Sequence, residues 1–197
     1  MEKTTTAGAP AGTGDVIDAI VGLQASDPLH ATRHARKKVV DATQASYDLF
    51  FRPGDVRPGD VRPGHVRPGR VRPGDAGLPL AERLLVALHA SLLSGSDALA
   101  RHYRAALAEA GADPQALAAV EAGCEADLPA TRLREMLLFT RKLILRPVEG
   151  DEAALRRLKD AGMATPDIVT LAQLVAFLSY QIRLAAGLAA MKAWGSQ

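Results

Sequence analysis

This chain of 197 residues has a single cysteine, Cys124, so neither a disulfide nor a two-thiol redox couple can form within it. A reducing compartment suits that composition. Aromatic residues make up only 4%, and alanine and leucine far outnumber the β-branched residues that strands favour. Helices are therefore expected in place of sheets. No run of about 18 apolar residues passes without a polar interruption. The opening MEKTTTAGAPAGTGD lacks the apolar segment of a signal peptide. These absences point to a soluble, cytoplasmic protein with no membrane partner. An excess of one charge is also missing. The net charge is +2, and Arg52 to Asp75 alone holds six arginines against three aspartates, leaving the remainder at −1. A nucleic-acid partner is not implied.

What is present is alanine- and leucine-rich sequence in helical register. With 48% hydrophobic residues, the length supports one domain with a true core. Residues 1–14 are small, polar and glycine-bearing, and read as a disordered tail. Residues 15–51 read as an N-terminal helical extension, with a short helix after Asp15 and a second from the Asp27-Pro28 start to about Phe51. Residues 52–76 are five pentapeptides, RPGDV, RPGDV, RPGHV, RPGRV and RPGDA. Pro-Gly suits the two central positions of a type II turn, so this segment reads as turns and extended backbone. It could be a docking arm with an arginine every fifth residue. The simpler reading is a tandem expansion of a surface loop, since loop-closure entropy rises only slowly with length.

Residues 78–193 carry the densest helical pattern. Leu80, Leu84, Leu88 and Leu92 step by four, and Ser94-Gly95 ends their helix. Ser96 or Asp97 starts the next, which Gly111 closes; Asp113-Pro114 opens a short one closed by Gly123. Helices follow from about Ala130 to Arg146, stopped by Pro147, and from Asp151 to Ala161, ended by Gly162. The last and longest starts at Thr165-Pro166-Asp167 and runs to about Ala193. The expectation is an all-α fold of about eight helices.

The run LPLAERLLVALHASLLSGSDALARHY, Leu78 to Tyr103, resembles the helix, turn and helix of the carboxymuconolactone decarboxylase and alkylhydroperoxidase-D (AhpD-like) superfamily. A second likeness lies in Thr140, Arg141, Pro147, Ala161-Gly162, Ile168, Tyr180 and Arg183, which resemble the tail of its peroxidase-related branch. The resemblance covers about Leu78 to Met191 and implies the helical fold of that superfamily. Its peroxidase members carry C-x-x-C-x-x-x-H, in which a dipole-stabilised thiolate attacks peroxide and the second thiol resolves the sulfenic acid. Ser96 and Leu99 stand in those two places, so the branch implied here lacks the cysteine pair. The relay glutamate of the family would fall at Leu84, two residues from Glu82. Its histidine falls at Tyr103 by the peroxidase spacing, or at His102 by the decarboxylase-type spacing through Ala106, Leu107 and Gly111. One residue of slip turns a side chain by about 100°, so only one of the two faces a given pocket.

The candidate catalytic residues are therefore His102, Glu82, His89, Tyr103 and Ser96. Glu82 and His89 are seven apart on one helical stripe, and a carboxylate and an imidazole in one pocket can exchange protons without a cofactor. A solvated glutamate and a histidine satisfied at a helix interface are the plainer alternative. Arg183, with Tyr180, is a candidate for binding a substrate carboxylate, or equally an acidic group on a neighbouring helix or subunit. His30 and His34 have the i, i+4 spacing of metal ligands but no third ligand in recognisable register. With Arg33, Arg36, Lys37 and Lys38 around them they read as a solvated basic face. Cys124 reads as an inert thiol beside Glu125. No metal and no cofactor are expected.

Three functions remain: a helical subunit without thiol chemistry, assembling with itself or with a cysteine-bearing relative; a cofactor-free decarboxylase or isomerase using His102 and Glu82 on a small molecule; and the alkylhydroperoxidase activity of the wider family. The alanine-rich faces of the last helix suit a homo-oligomer.

Overall fold

Asp15 starts the first helix, α1 (Val16–Val21): its Oδ1 accepts hydrogen bonds from the backbone N–H groups of Ile17 and Asp18 at 2.9 and 3.1 Å. Gly22 ends it at φ 70°, where a Cβ would be strained. The computed structural model describes residues 14–52, 77–129 and 131–195. The expected tail and almost all of the pentapeptide repeat lie outside these residues.

The single helix expected up to Phe51 is two helices, α2 (Pro28–His34) and α3 (Lys37–Phe51). The chain leaves helical geometry at Arg36, with φ −108° and ψ 66°. Two demands on one stretch account for the break. His30, Arg33 and His34 turn toward the carboxylates of α1. Val40, Tyr47 and Phe51 must instead reach the core.

The next helices are α4 (Leu80–Leu93), α5 (Asp97–Ala110) and α6 (Pro114–Ala122). α7 (Thr131–Leu145), α8 (Glu152–Asp160) and α9 (Thr165–Gly195) complete the chain, with 3₁₀ turns at Glu125–Asp127 and Pro147–Glu149. Among the described residues there are nine helices and no strand. α4 is the centre: every residue from Arg83 to Ser91 is buried, as in a helix enclosed on all sides. α5, α7, α9, α6 and α3 all pack against it. Gly111 closes α5 in the left-handed region, as its position implied.

α9 spans 31 residues, and one of its windows has a mean hydropathy of 1.5. By length and composition it is apolar enough to cross a bilayer, although Gln173, Ser179, Gln181 and Arg183 interrupt its apolar runs. Ile168, Leu171, Leu174, Val175, Leu178, Gln181, Ala185 and Leu188 form its buried stripe. That stripe packs on α4, α1, α7 and α8, so α9 is the spine of the fold.

Leu171 is fully buried and Leu155 is 37% exposed. Leu171→Ala should therefore cost about 2–5 kcal/mol in urea unfolding, and Leu155→Ala less than about 1 kcal/mol.

Candidate functional site

The turn between α4 and α5 is closed by the Ser96 N–H, which donates to the Ser91 carbonyl at 2.9 Å. Ser96 holds the N-cap position of α5, but its side chain makes no capping bond. One turn on, Leu99 is fully buried, and so is Tyr103 after it. The two places that the resemblance assigns to thiols thus hold a half-buried hydroxyl and a core aliphatic. Cys124 is exposed, at the far end of α6.

Tyr103 and His102 turn to different surroundings. The Tyr103 hydroxyl donates to Gln181 Oε1 of α9 at 2.5 Å, and its ring lies 5.1 Å from that of Phe51. Burial holds this phenol far from ionising. His102 Nε2 meets the Tyr47 hydroxyl at 2.7 Å. Burial, helped by the Arg52 charge, lowers the pKa of this imidazole, while burial pushes the Tyr47 phenol up to about 12. Both groups are neutral near pH 7, with one proton between them. His102, together with Ala19, Ile20, Ala98 and Arg101, lines a shallow, open depression of about 370 Å³.

Glu82 and His89 are engaged elsewhere. Arg132 Nη1 donates to both Glu82 oxygens, at 3.0 and 2.8 Å, and Arg132 Nη2 donates to the Gly77 carbonyl. The Gly77 N–H in turn donates to Asp167 Oδ1 at 2.8 Å, and a Cβ on Gly77 would stand 2.9 Å from Asp167 Oδ2. Glu82 therefore fastens the entry of α4 to the starts of α7 and α9. Burial raises its carboxyl pKa even against the Arg132 charge.

His89 is 1% exposed, and its Nε2 lies 3.7 Å from Glu125 Oε1. Glu125, also buried, accepts from Arg141 Nε. Burial pushes the His89 pKa down to about 4, against the pull of Glu125. Burial would raise the Glu125 carboxyl, but the Arg141 hydrogen bond, its own backbone and the neighbouring charges outweigh that and hold it below the usual range. The result is a neutral imidazole beside a carboxylate–guanidinium pair. His89 Nε2 and Glu125 Oε2 have no hydrogen-bond partner among the described residues.

Glu82, His89 and His102 thus have three separate sets of partners, Arg132, Glu125 with Arg141, and Tyr47. The structure does not bring them into one pocket. Arg83, next to Glu82, is buried and its Nε has no partner among the described residues. Tyr180 bonds Thr43 Oγ1 at 3.0 Å from the outer side of α9, and Arg183 is exposed on the same helix.

The basic segment of α2 is not the solvated face expected from its composition. Arg33 Nη2 meets Asp15 Oδ1 at 2.8 Å and its Nη1 meets Asp18 Oδ1 at 2.7 Å, with the arginine side chain only 6% exposed. His34 Nε2 lies 2.7 Å from Asp18 Oδ2, and His30 Nε2 lies 3.5 Å from the same oxygen. Arg36, Lys37 and Lys38 do face solvent. Sequence reasoning missed Asp18 as a partner of these histidines, because it stands on another helix. It also missed Tyr47, although Val40, Tyr47 and Phe51 follow helical spacing.

Residues 66–142 match the model of the carboxymuconolactone decarboxylase family. The match runs from within the repeat through α4, α5 and α6 into α7, and so includes Ser96, Leu99, His102 and Tyr103. No curated protein matches the chain.

The His89 site makes stability depend on pH. The folded state resists protonating His89 until about pH 4, whereas the unfolded chain takes up the proton near pH 6.5. This contribution is complete above about pH 6.5 and is lost as acid is added down to the folded value. Between pH 7 and 4.5 it should remove on the order of 2–3 kcal/mol, read from urea midpoints. His89→Gln should show a shallower pH dependence over that interval.

Proposed function

We propose that the chain, whose residues 66–142 match the carboxymuconolactone decarboxylase family model, is a helical subunit without thiol-peroxidase chemistry, which works by assembling with a second copy of itself. The observation that carries this reading is the outer stripe of α9. Val169, Gln173, Ala176, Tyr180, Arg183, Gly187, Met191 and Trp194 are all exposed. At 100° per residue they fall within an arc of about 80°. Val169 is 50% exposed, Met191 53% and Trp194 82%.

Gln173 and Arg183 are its polar members and Tyr180 reaches Thr43 of α3, but its apolar residues, on a helix whose opposite side is core, suit another helix better than they suit water. Ala176 and Gly187 allow backbones to approach closely. A two-fold axis would set one such stripe against its own copy, since a closed dimer interface is self-complementary. Tyr180 and Arg183 sit within the stripe, which favours Arg183 as a contact to an acidic group on the neighbouring subunit over a substrate clamp. A cysteine-bearing relative of the same fold would present an equivalent helix, and would be the alternative occupant.

Peroxide reduction by the family route needs a thiolate at the start of α5, and Ser96 and Leu99 offer none. Acid–base catalysis by Glu82 with His102 draws no support from their separate partners.

Sedimentation velocity tests the proposal. The purified chain should run as a dimer or larger assembly. Ala176→Glu combined with Met191→Glu should run as a folded monomer, because two added charges on the stripe oppose contact. A wild-type monomer at all concentrations would refute self-assembly, and a stable species formed only with a co-purifying relative would move the reading to the mixed complex. Thiol-driven peroxide consumption should be at background, with or without Cys124→Ser. Turnover abolished by that substitution would overturn the assignment.

A further inference from the structure

We propose that Asp18, His30 and His34 form a three-ligand site for a divalent late-transition cation of the zinc class, at the junction of α1 and α2. The site lies in the N-terminal extension, outside the stretch matching the family model.

One carboxylate oxygen and two imidazole nitrogens lie within 4.8 Å of one another. Both Nε2 atoms address the same Asp18 Oδ2, at 2.7 Å from His34 and 3.5 Å from His30. The two rings stack with centroids 4.0 Å apart and 21° between planes, so their nitrogens emerge side by side. With Zn–N and Zn–O bonds of about 2.0–2.2 Å, ligand atoms of a tetrahedral site stand about 3.3 Å apart. Small side-chain rotations bring the three atoms to that spacing. Two histidines one helical turn apart with a carboxylate from a second element make a donor set suited to Zn²⁺, and borderline ions such as Co²⁺ and Ni²⁺ take the same donors. Three protein ligands leave the fourth position to water.

The surroundings favour a cation. Arg33 Nη1 holds the other oxygen, Asp18 Oδ1, at 2.7 Å, which fixes the carboxylate and leaves Oδ2 turned to the histidines. Asp15, bound to the same guanidinium at 2.8 Å, supplies a second negative charge. Two carboxylates stand against one arginine, so these three fixed charges sum to a net negative one. Arg33 Nη1 also lies 3.2 Å from His34 Nε2. Metal binding requires it to draw back from that nitrogen, and its two carboxylate contacts give it somewhere to stay. The histidine side chains are 25% and 31% exposed, so an ion can enter from solvent.

Binding would tie α2 to α1, and through α1 to the α9 spine on which it packs.

The test uses the full chain, stripped with a chelator and titrated with ZnCl₂ by calorimetry. One ion should bind per chain with a Kd of about 1 µM or tighter, and excess Zn²⁺ should raise the melting temperature by about 5 °C. His30→Ala and His34→Ala should each weaken binding by about tenfold or more, while His65→Ala and Cys124→Ser should bind as wild type. His30→Ala keeps the Arg33, His34 and Asp18 network and should melt, without metal, as the wild type does. Co²⁺ added to the unmodified chain gives a second readout, an absorption spectrum of tetrahedral intensity with nitrogen and oxygen donors. No Zn²⁺ bound at about 100 µM, or binding unchanged in both histidine variants, would overturn the proposal.

Discussion

The burial of Tyr103 between α5, α3 and α9 is the interaction on which the rest of the structure depends. Its hydroxyl is fixed by Gln181 of the spine, and Phe51 of α3 closes over its ring. His102, one residue earlier, is thereby turned outward to Tyr47. In a chain with so few aromatic side chains, Tyr47, Phe51 and Tyr103 gather at this one junction and fill it. Leu99 and Tyr103, one turn apart, are both core, while Ser96 and Asp97 ahead of them are half-buried and exposed. The helix and turn that resemble a redox motif therefore serve here to hold three helices together.

The helical pattern and its punctuation were readable because they are local. Prolines and glycines at helix ends, and leucines repeating every three or four residues, act over a single turn of chain, and α4 to α9 begin and end close to where they imply. The break at Arg36 was not readable. It depends on the pull of Asp15 and Asp18 from another helix, and only the folded chain brings these groups together. The same limit applied to the candidate site. Glu82 and His89 do share a stripe on α4, but a stripe two turns long reaches two different neighbourhoods, Arg132 at one end and Glu125 with Arg141 at the other. Spacing along a helix says which residues point the same way; it does not say what they meet.

The buried charges follow one pattern. Glu125 and Asp18 are each taken from water by helix packing, and each is answered by an arginine and a histidine. At Glu125 the imidazole is sealed in the core and kept neutral, which makes it part of the acid sensitivity of the fold. At Asp18 the two imidazoles are partly open to solvent and both address one carboxylate oxygen, an arrangement that a cation could take over.

A neighbouring copy seated on the outer stripe of α9, as proposed, would cover the indole at its end. Trp194, the only tryptophan, lies at the end of that stripe and is 82% exposed in the isolated chain. Its fluorescence on dilution reports directly on the contact. Emission should lie to the blue at high protein concentration and move to the red as the assembly dissociates, with the midpoint tracking the association constant. Emission that stays at the position of a fully hydrated indole at every concentration would contradict the proposed contact.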